Sequence, residues 1–419
     1  MYWISSWRAI FFSISIMKVV LISPPEQHAL MEAGDRPNMG LLYLAGSLRD
    51  DGHECIISDL NHDSYDQLKE KLKGAQFVGM TTITPYIDWI ENFSMHLRHN
   101  YPNLILIAGG PHATNSEEGL EYFDYIVKGE GELAILDIVN GRAVNRIQQK
   151  PVIEHLDNLP IPHDQTDYPY TLNQEGKKTA VLLTSRGCPF NCAFCTSKNL
   201  GKYRNHSPDR VLQEIMGLFK KGYNSFYFLD DHFTADKERA MDICRKLISL
   251  ELPITFRCTS RTDKIDEELI TCLKEAGLRS ISFGLEHFDD YVLKKINKGE
   301  TVENHLKAIK ICKEHGIKIR GSFIVNLPLA TEQTVKKTLR IAKELKLDYA
   351  DFYPLIAYPG TPIYENPDKF NIKIYKQLNV HQTMFQSNVN TGLRNVDKLV
   401  KFCRDEWKEH KNSLCPWES

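Results

Sequence analysis

The sequence predicts an α/β protein made of two successive β/α units and a short helical C-terminal segment. Apolar strand-like runs alternate with amphipathic stretches from Met17 onward, which favours parallel sheets covered by helices on both faces. The alternation stops in a polar, proline-containing stretch and resumes at Thr179. We therefore expect a Rossmann-like domain at 17–140, a linker at 141–178, a partial (β/α)6 barrel of the TIM type at 179–364 and a helical cap at 365–419.

The composition is that of an ordinary globular chain. Its 419 residues include 52 Lys+Arg and 54 Asp+Glu, a formal charge of −2, so the basic field that a nucleic-acid-binding protein needs is missing. Of the 10 cysteines, most are scattered singly, as buried thiols in a reducing compartment are, and three lie close together.

The N-terminal residues 1–16 are apolar and aromatic with a single Arg. They lack a clear small-residue cleavage site, so we interpret them as a leader or an upstream start; the alternative is a membrane-touching aromatic anchor. No later stretch approaches the roughly 20 apolar residues of a transmembrane helix. We expect a cytoplasmic protein with no transmembrane span, with peripheral membrane contact as the alternative.

The first unit contains five expected strands, each followed by a turn or a helical stretch. These strands are Val19–Ser23, Glu54–Ser58, Phe77–Met80, Leu104–Ala108 and Tyr125–Val127. Glycine, proline and threonine residues follow the strand ends, which is where an open α/β sheet binds its ligands.

The second unit contains six expected strands, two fewer than a closed barrel of this type has. They are Ala180–Thr184, Ser225–Leu229, Ile254–Cys258, Ser280–Phe283, Lys318–Val325 and Tyr349–Ile356. The incomplete set predicts a lateral opening, which the C-terminal segment would cover.

Three clustered cysteines follow the first strand of the second unit, in the loop position where barrel enzymes carry their chemistry. Cys188, Cys192 and Cys195 are spaced so that their thiolates can converge on one soft-metal site. A cubane iron–sulfur cluster takes four cysteines, so three would leave one iron open to a cofactor or substrate. The alternatives are three unligated cysteines, or a structural zinc site completed by His232 or Cys258.

The pattern CxxxCxΦC, with Phe194 as the aromatic Φ, resembles the signature of the radical S-adenosylmethionine (SAM) superfamily over roughly 179–363. The resemblance implies that the three cysteines hold a catalytic [4Fe–4S] cluster whose open iron binds the amino and carboxylate groups of SAM. One electron then cleaves SAM to methionine and a 5′-deoxyadenosyl radical. It also implies an electron donor such as ferredoxin or flavodoxin, while the barrel orients the cofactor and excludes water.

Further segments resemble family motifs in the expected order. In FLDDHFT, Asp230 and Asp231 are candidates for binding the SAM amino group, with helix N-capping as the alternative. In RCTSRTDKIDEELI, Arg257 or Arg261 could meet the SAM carboxylate, because a guanidinium matches that geometry.

Two later segments complete the resemblance. FGLEHFDD supplies Glu286 for ribose hydroxyls or a charged group, and YPGTPIY supplies Pro359 near the adenine. SFIVNLPLATEQT departs from the family pattern, since Leu329 and Ala330 stand where glycine is common.

The first unit resembles the cobalamin-binding domain that precedes the barrel in one class of these enzymes. The resemblance implies that Thr82, Gly109, Gly110, Gly129 and Glu130 bind cobalamin at the carboxyl ends of the sheet. Glycines there would let the backbone approach the nucleotide tail of the cofactor, although they could equally serve only tight turns.

The DxHxxG motif, whose histidine ligates cobalt in some cobalamin enzymes, is absent. The family therefore implies cobalamin bound with its tail in the sheet and no histidine on cobalt. We interpret His112 as a loop residue rather than a ligand.

The resemblance implies methylation of an unactivated carbon in a small-molecule or lipid substrate. A cyclase or oxidative rearrangement without methyl transfer is the close alternative. A methylthiotransferase would carry further cluster cysteines in its first domain, where this chain has only Cys55. A binding-only sensor is a last alternative, which the intact cysteine triad disfavours. The identity of the substrate is not readable from the sequence.

Overall fold

The computed structural model describes residues 15–25, 36–164, 172–174, 176–375 and 387–414. Most of the expected leader at 1–16 lies outside the described residues, as do parts of the expected linker and cap. Within the described ranges, no helix combines the length and the apolar character needed to cross a membrane.

The first sheet has six parallel strands in the order β2-β1-β3-β4-β5-β6. They are β1 (Lys18–Ser23), β2 (Glu54–Asp59), β3 (Phe77–Thr81), β4 (Ile105–Gly109), β5 (Tyr125–Lys128) and β6 (Ile147–Gln149). The strand order reverses between β1 and β3, and ligands of doubly wound sheets bind at such a switch point.

Helices cover both faces of this sheet, which confirms the expected Rossmann-like fold. They are α1 (Met39–Asp50), α2 (Tyr65–Leu72), α3 (Ile87–Asn100), α4 (Pro111–Asn115) and α5 (Glu132–Val139). Strand residues alternate between the two cores: Val20 and Ile22 face one, whereas Val19 and Leu21 face the other.

The first sheet extends into the stretch predicted as linker. Strand β6 pairs in parallel with β5, with Ile126 opposite Ile147. Its three residues alternate exposed and buried, and a run this short carries no periodicity that marks a strand in the sequence.

The second sheet curls into a half-barrel whose parallel strands follow chain order, β8-β11-β12-β13-β14-β15, with β7 antiparallel at the β8 edge. The elements of this unit include two short strands, β9 and β10, that form a separate ladder. The strands are β7 (Asn173–Gln174), β8 (Lys177–Leu182), β9 (Ser185–Arg186), β10 (Arg204–Asn205), β11 (Ser225–Phe228), β12 (Thr255–Ser260), β13 (Leu278–Glu286), β14 (Lys318–Ile324) and β15 (Tyr349–Tyr353).

Helices pack on the outside of the half-barrel over a large apolar core. They are α6 (Pro208–Lys220), α7 (Lys237–Ser249), α8 (Glu267–Glu275), α9 (Asp290–Lys295), α10 (Val302–Glu314) and α11 (Glu332–Glu344). Phe226 and Phe228 of β11 face this core, while Tyr227 between them belongs to the inner side. The expected six-stranded partial barrel is therefore confirmed.

The inner side of the barrel near β8 and β11 packs against α1 of the first unit. Leu42 and Tyr43 of α1 share a core with Val181 of β8 and Tyr227 of β11. The Tyr43 hydroxyl lies 3.2 Å from His206 Nε2, so a polar contact also joins the units.

The C-terminal segment closes the barrel at its last strand. It contains α12 (Pro362–Glu365), the short pair β16 (Lys373–Ile374) and β17 (Val389–Asn390), and α13 (Val396–Leu414). Helix α13 packs against α11 and β15, and Arg404 Nε donates to Phe352 O at 2.8 Å. It thus covers the edge that the missing strands leave open.

Candidate functional site

The cysteine loop begins directly after β9, at the carboxyl end of β8. Ala193 fixes its middle: its N–H donates to Ile296 O at 2.8 Å, and its carbonyl accepts from Ile363 N at 3.0 Å. Asn297 Nδ2 also donates to Asn191 O at 2.7 Å. The loop is therefore held by the end of α9 and the start of α12 while its thiols remain accessible.

Cys188, Cys192 and Cys195 are free and partly buried. Burial raises the pKa of Cys192 to about 11, while the nearby cations Lys298 and Arg261 oppose this shift. Cys195 contributes to the raised pKa of both other thiols, as expected for groups that face one another. Cations beside thiols stabilise the thiolate form that iron requires.

The zinc alternative finds no support in the described ranges. No three His, Cys, Asp or Glu side chains there are arranged to hold a single metal ion. Cys258 is completely buried in β12, and His232 packs against Phe190. A four-iron cluster gives each thiolate its own iron, so its cysteines need not converge on one point as the ligands of a tetrahedral zinc ion must.

A cavity of about 300 Å³ lies between the carboxyl edge of the first sheet and the loop that leads into the cysteines. Gly79, Gly109 and Gly129 line its first-sheet side, while Arg186 and Asp231 line its barrel side. It continues along the sheet face under α1 and α5, where its walls are apolar. Its lining there includes Leu41, Leu44, Ile107, Val127 and Ile135.

The glycines of this cavity serve different purposes. Gly110 has φ +98, and a Cβ there would lie 2.8 Å from Thr81 Oγ1 and 3.0 Å from Thr82 N, so the turn itself requires glycine. At Gly109 a Cβ would meet only Val127 Cβ, at 3.8 Å, and at Gly129 it would meet nothing within 4 Å. These two positions therefore leave open space for a ligand, and Gly129, with φ +82, also needs glycine for its backbone conformation.

Two further observations fit a ligand at this edge. The buried Ser185 hydroxyl, on the cavity wall, has no hydrogen-bond partner in the described structure. The volume and the mainly apolar walls would suit an aromatic group such as the benzimidazole of cobalamin. The residues present thus fit the group that the sequence predicts.

The family comparisons agree with this arrangement. Residues 32–139 match the B12 binding domain, and residues 182–342 match the Radical SAM superfamily. An uncharacterized methyltransferase of Pyrococcus horikoshii is 32% identical over 383 residues, which are 84% of this chain and 83% of that protein. The chain belongs to the radical SAM superfamily and carries a B12 binding domain.

Other relatives of this radical SAM protein differ in reaction. An anaerobic magnesium-protoporphyrin IX monomethyl ester cyclase of Rubrivivax gelatinosus is 29% identical over 87% of this chain and 72% of its own. The radical SAM methyltransferase TsrM of Kitasatospora setae, with cobalamin and a [4Fe–4S] cluster bound, shares the fold at TM-score 0.70 and 18% identity, covering 86% of this chain and 78% of that one. The cofactors of this radical SAM enzyme are a [4Fe–4S] cluster and SAM, together with cobalamin for the B12 binding domain.

The two neighbouring carboxylates that were candidates for the SAM amino group have different surroundings. Asp230 is buried and accepts hydrogen bonds from Thr184 N at 2.6 Å and from Ser185 N at 2.7 Å. Asp231 instead lines the cavity and is exposed, and its carboxylate hydrogen-bonds with Ser197. Asp230 therefore fixes the strand ends, and Asp231 is available to a ligand.

The two candidate arginines also differ. Arg257 lies on β12 with its guanidinium 3.8 Å from the centre of the Tyr227 ring. Arg261 lies 3.6 Å above the Phe190 ring and donates to Asp263 Oδ1 at 2.9 Å and to Lys298 O at 2.8 Å. Arg261 thus supports the cysteine loop through Phe190, while Phe194 of the same loop packs against the barrel core.

Glu286 lies in a charged network that the sequence did not reveal. It has φ +61 at a register shift between β13 and β14, a strained conformation for a residue other than glycine. Lys298 Nζ lies 3.2 Å from Glu286 Oε1 and 3.2 Å from Glu300 Oε2, and all three side chains are buried. Sequence spacing alone offered no signal for Lys298 or Glu300.

Pro359 lines a second cavity, of about 240 Å³, between the barrel and the first unit. Thr196, next to Cys195, lies on the same wall, and Ile83, Pro85 and Pro111 face it from the first sheet.

Leu329, which replaces a common family glycine, has φ +71 and is exposed. The structure thus keeps the glycine-like backbone there despite the substitution.

Thr82 and His112 are used within the first unit. Thr82 Oγ1 donates to Gly109 O at 2.8 Å and accepts from Ala113 N at 3.0 Å. His112 Nδ1 lies 3.1 Å from Thr84 Oγ1, and its Nε2 lies 2.9 Å from Glu118 O. Both side chains therefore hold the first unit together. His112 lies in the short helix α4 and not in a loop as expected, and both of its ring nitrogens face partners within this unit.

Glu130 lines the cavity and joins the two units by ion pairs. Its carboxylate lies 2.9 Å from Arg186 Nη1 and 2.9 Å from Arg204 Nη1. Glu132 lies 2.6 Å from Arg186 Nη2. Arg186, Arg204 and Glu132 were not among the predicted site residues, although Arg186 stands two positions before the first cluster cysteine.

Proposed function

We propose that this protein is a cobalamin-dependent radical SAM methyltransferase that acts on an unactivated carbon of a small molecule. One observation carries the proposal: the cavity of the B12 binding domain opens onto the loop that leads into the cysteines. Gly109 and Gly129 form one wall, and Arg186 and Asp231 form the other. A methyl carrier and a radical source held at these edges would share one enclosed space.

The three cysteine thiolates would hold the cluster, and SAM bound at its open iron supplies the radical chemistry. Asp231 is suited to orient a cationic group, because it lines the cavity and is exposed to it. The apolar walls at Pro359 suit the adenine ring. Glu286 is paired with Lys298, so its contribution to SAM binding would be to keep that lysine in place.

The anaerobic protein, reconstituted with iron, sulfide and cobalamin, tests this function directly. We expect cobalt and iron to remain with the protein after gel filtration, and SAM to be cleaved when a low-potential reductant is added. With SAM carrying a deuterated methyl group, the product from a cell extract should gain that labelled methyl. A fully loaded enzyme that consumes substrate without transferring the label would overturn the proposal.

A cyclase or oxidative rearrangement is the second candidate, and the similarity to the magnesium-protoporphyrin cyclase favours it. The same labelled SAM separates the two, since a cyclase product loses hydrogen and gains no methyl. A methylthiotransferase is disfavoured because Cys55 is buried in β2 and has no cysteine neighbours for a second cluster in the described part of the first unit.

We further propose that a ferredoxin or flavodoxin in the cytoplasm supplies the electron. Partial exposure of the three thiols supports this, since a protein donor must approach the cluster closely. To test this proposal, either donor is added in its reduced form to the reconstituted protein, and reduction of the cluster is followed by the cluster's spectrum.

A further inference from the structure

Arg186 touches both halves of the candidate site. It ends the short strand β9, two residues before Cys188, and its side chain lines the cobalamin cavity. Only 13% of that side chain is exposed. A buried guanidinium at this place must find its partners within the protein, because water cannot supply them.

In the described structure, the side-chain partners of Arg186 come from the first unit. Its Nη1 donates to Glu130 Oε1 at 2.9 Å and its Nη2 donates to Glu132 Oε1 at 2.6 Å. Its guanidinium also lies 4.7 Å from the centre of the Tyr43 ring on α1. Glu130, Glu132 and Tyr43 line the same cavity. One side chain therefore contacts two walls that a cobalamin tail would touch.

The chain between Arg186 and Cys188 is a single, closely packed residue. Gly187 has φ +76, and a Cβ there would lie 2.8 Å from Lys202 O and 2.9 Å from Gly201 O. Arg186 is also paired with Arg204 across the β9–β10 ladder. Because this segment is closely packed, we expect a movement of the guanidinium to displace the first cluster thiol, Cys188.

We propose that Arg186 is a positioning residue that couples the cobalamin cavity to the cluster loop. A cofactor in the cavity fixes the position of the Glu130–Gly131–Glu132 backbone. The two carboxylates then fix the position of the Arg186 guanidinium, and through it the position of Cys188. Since coupling between two sites is reciprocal, loading the cluster must change cobalamin affinity by the same factor. The inference rests on the cofactors of the proposed function and not on methyl transfer.

Arg204 offers a matched control. It also pairs with Glu130 across the same interface, at 2.9 Å, but it does not line the cavity. The test variant is Arg186→Met combined with Glu132→Gln, because Arg186→Met alone would leave Glu132 as a buried charge without its partner. The control is Arg204→Met, which leaves Glu130 paired with Arg186.

The experiment measures hydroxocobalamin affinity for the full chain with and without its reconstituted cluster, and the electron paramagnetic resonance spectrum of the reduced cluster with and without cobalamin. We expect the cluster to change cobalamin affinity about fivefold or more in the wild type and in Arg204→Met. In the double variant, affinity should become independent of the cluster, and cobalamin should no longer alter the spectrum.

Retention of the full coupling by the double variant would overturn the proposal, as would its absence from the wild type or an equal loss in Arg204→Met. Arg186→Lys provides a second variant that keeps the charge but cannot contact both carboxylates as a guanidinium does. It should bind iron normally and show reduced coupling; unchanged coupling would contradict the assignment. An enzyme that shows the coupling yet transfers no methyl would refute the proposed function alone.

Discussion

Across the central cavity, the first unit presents glycines, apolar side chains and two carboxylates that are paired with arginines, whereas the barrel presents Arg186 and Asp231 beside the loop that leads into the cysteines. Gly109 and Gly129 on one side leave space, whereas Asp231 on the other offers charge, and the cluster ligand Cys188 directly follows the lining residue Gly187. A large, mainly uncharged ring system is recognised by the space it fills. A cluster and a charged sulfonium compound need donor atoms and carboxylates. The two edges should therefore respond differently to substitution.

The largest effect is expected at the thiols. Cys192→Ala removes one of three cluster ligands, so cluster binding and SAM cleavage should both be lost, while cobalamin still binds. Cys272→Ser, at a partly buried cysteine on the outer helix α8, is the control and should keep its iron. Iron content and the spectrum of the reduced protein measure the outcome. If Cys192→Ala kept a full cluster, the proposed difference between the barrel edge and the first-sheet edge would be wrong.

The next effect tests space on the first-sheet side. Gly109→Val projects methyl groups into the cavity without backbone strain and should weaken cobalamin binding by about tenfold to a hundredfold, while SAM cleavage persists. Gly109→Ala should have a smaller effect, because its methyl lies at ordinary contact distance from Val127. Equilibrium titration with hydroxocobalamin gives the numbers. Equal affinities across the series would show that this wall does not contact the cofactor.

A third test separates two adjacent carboxylates on the barrel side. Asp230→Asn should lower the free energy of unfolding by about 1–3 kcal/mol, because the backbone donors of Thr184 and Ser185 lose their charged acceptor. Asp231→Asn should leave stability nearly unchanged and weaken SAM binding instead. Urea unfolding and SAM titration of both variants are compared. The assignment fails if the two variants behave alike.

The smallest effect concerns pH. Burial lowers the pKa of His206, His287 and His305 to about 4, so they stay neutral in the folded protein. Unfolded histidines bind protons below about pH 6.5, so the free energy of unfolding should fall between pH 6.5 and pH 4, by about 1–2 kcal/mol per histidine at pH 5. His287→Leu should remove one such contribution, measured by urea unfolding of the cluster-free protein. An unchanged slope would contradict the burial of a neutral His287.

Local patterns in the sequence were sufficient to predict both sheets and the cysteine loop. Strand runs such as Phe77–Met80 and Ser225–Leu229 agree with the observed strands within one residue, because apolar runs bounded by turn residues are local signals. The short strand β6 was missed, since only its pairing with β5 makes it a strand.

The contacts that complete the site were not predictable from the sequence. Arg186 and Glu130 are separated by 56 positions and meet only after both units have folded. Within the barrel, Lys298 pairs with Glu286 and Glu300 pairs with Arg261, and these contacts also depend on the fold and not on local sequence. The separate roles of Asp230 and Asp231 depend on the direction of each side chain at a strand end, which adjacent letters do not show.

Helix α1 is buried on more than one side, since Leu41 and Ala45 belong to the core of the first sheet while Leu42 and Tyr43 belong to the core it shares with the barrel. An isolated first half would expose that second face and would tend to aggregate in water. We therefore expect the two halves to unfold together rather than one after the other. Recombination that exchanged one half for a distant homologue would have to replace both surfaces together, which ties their evolution to one another.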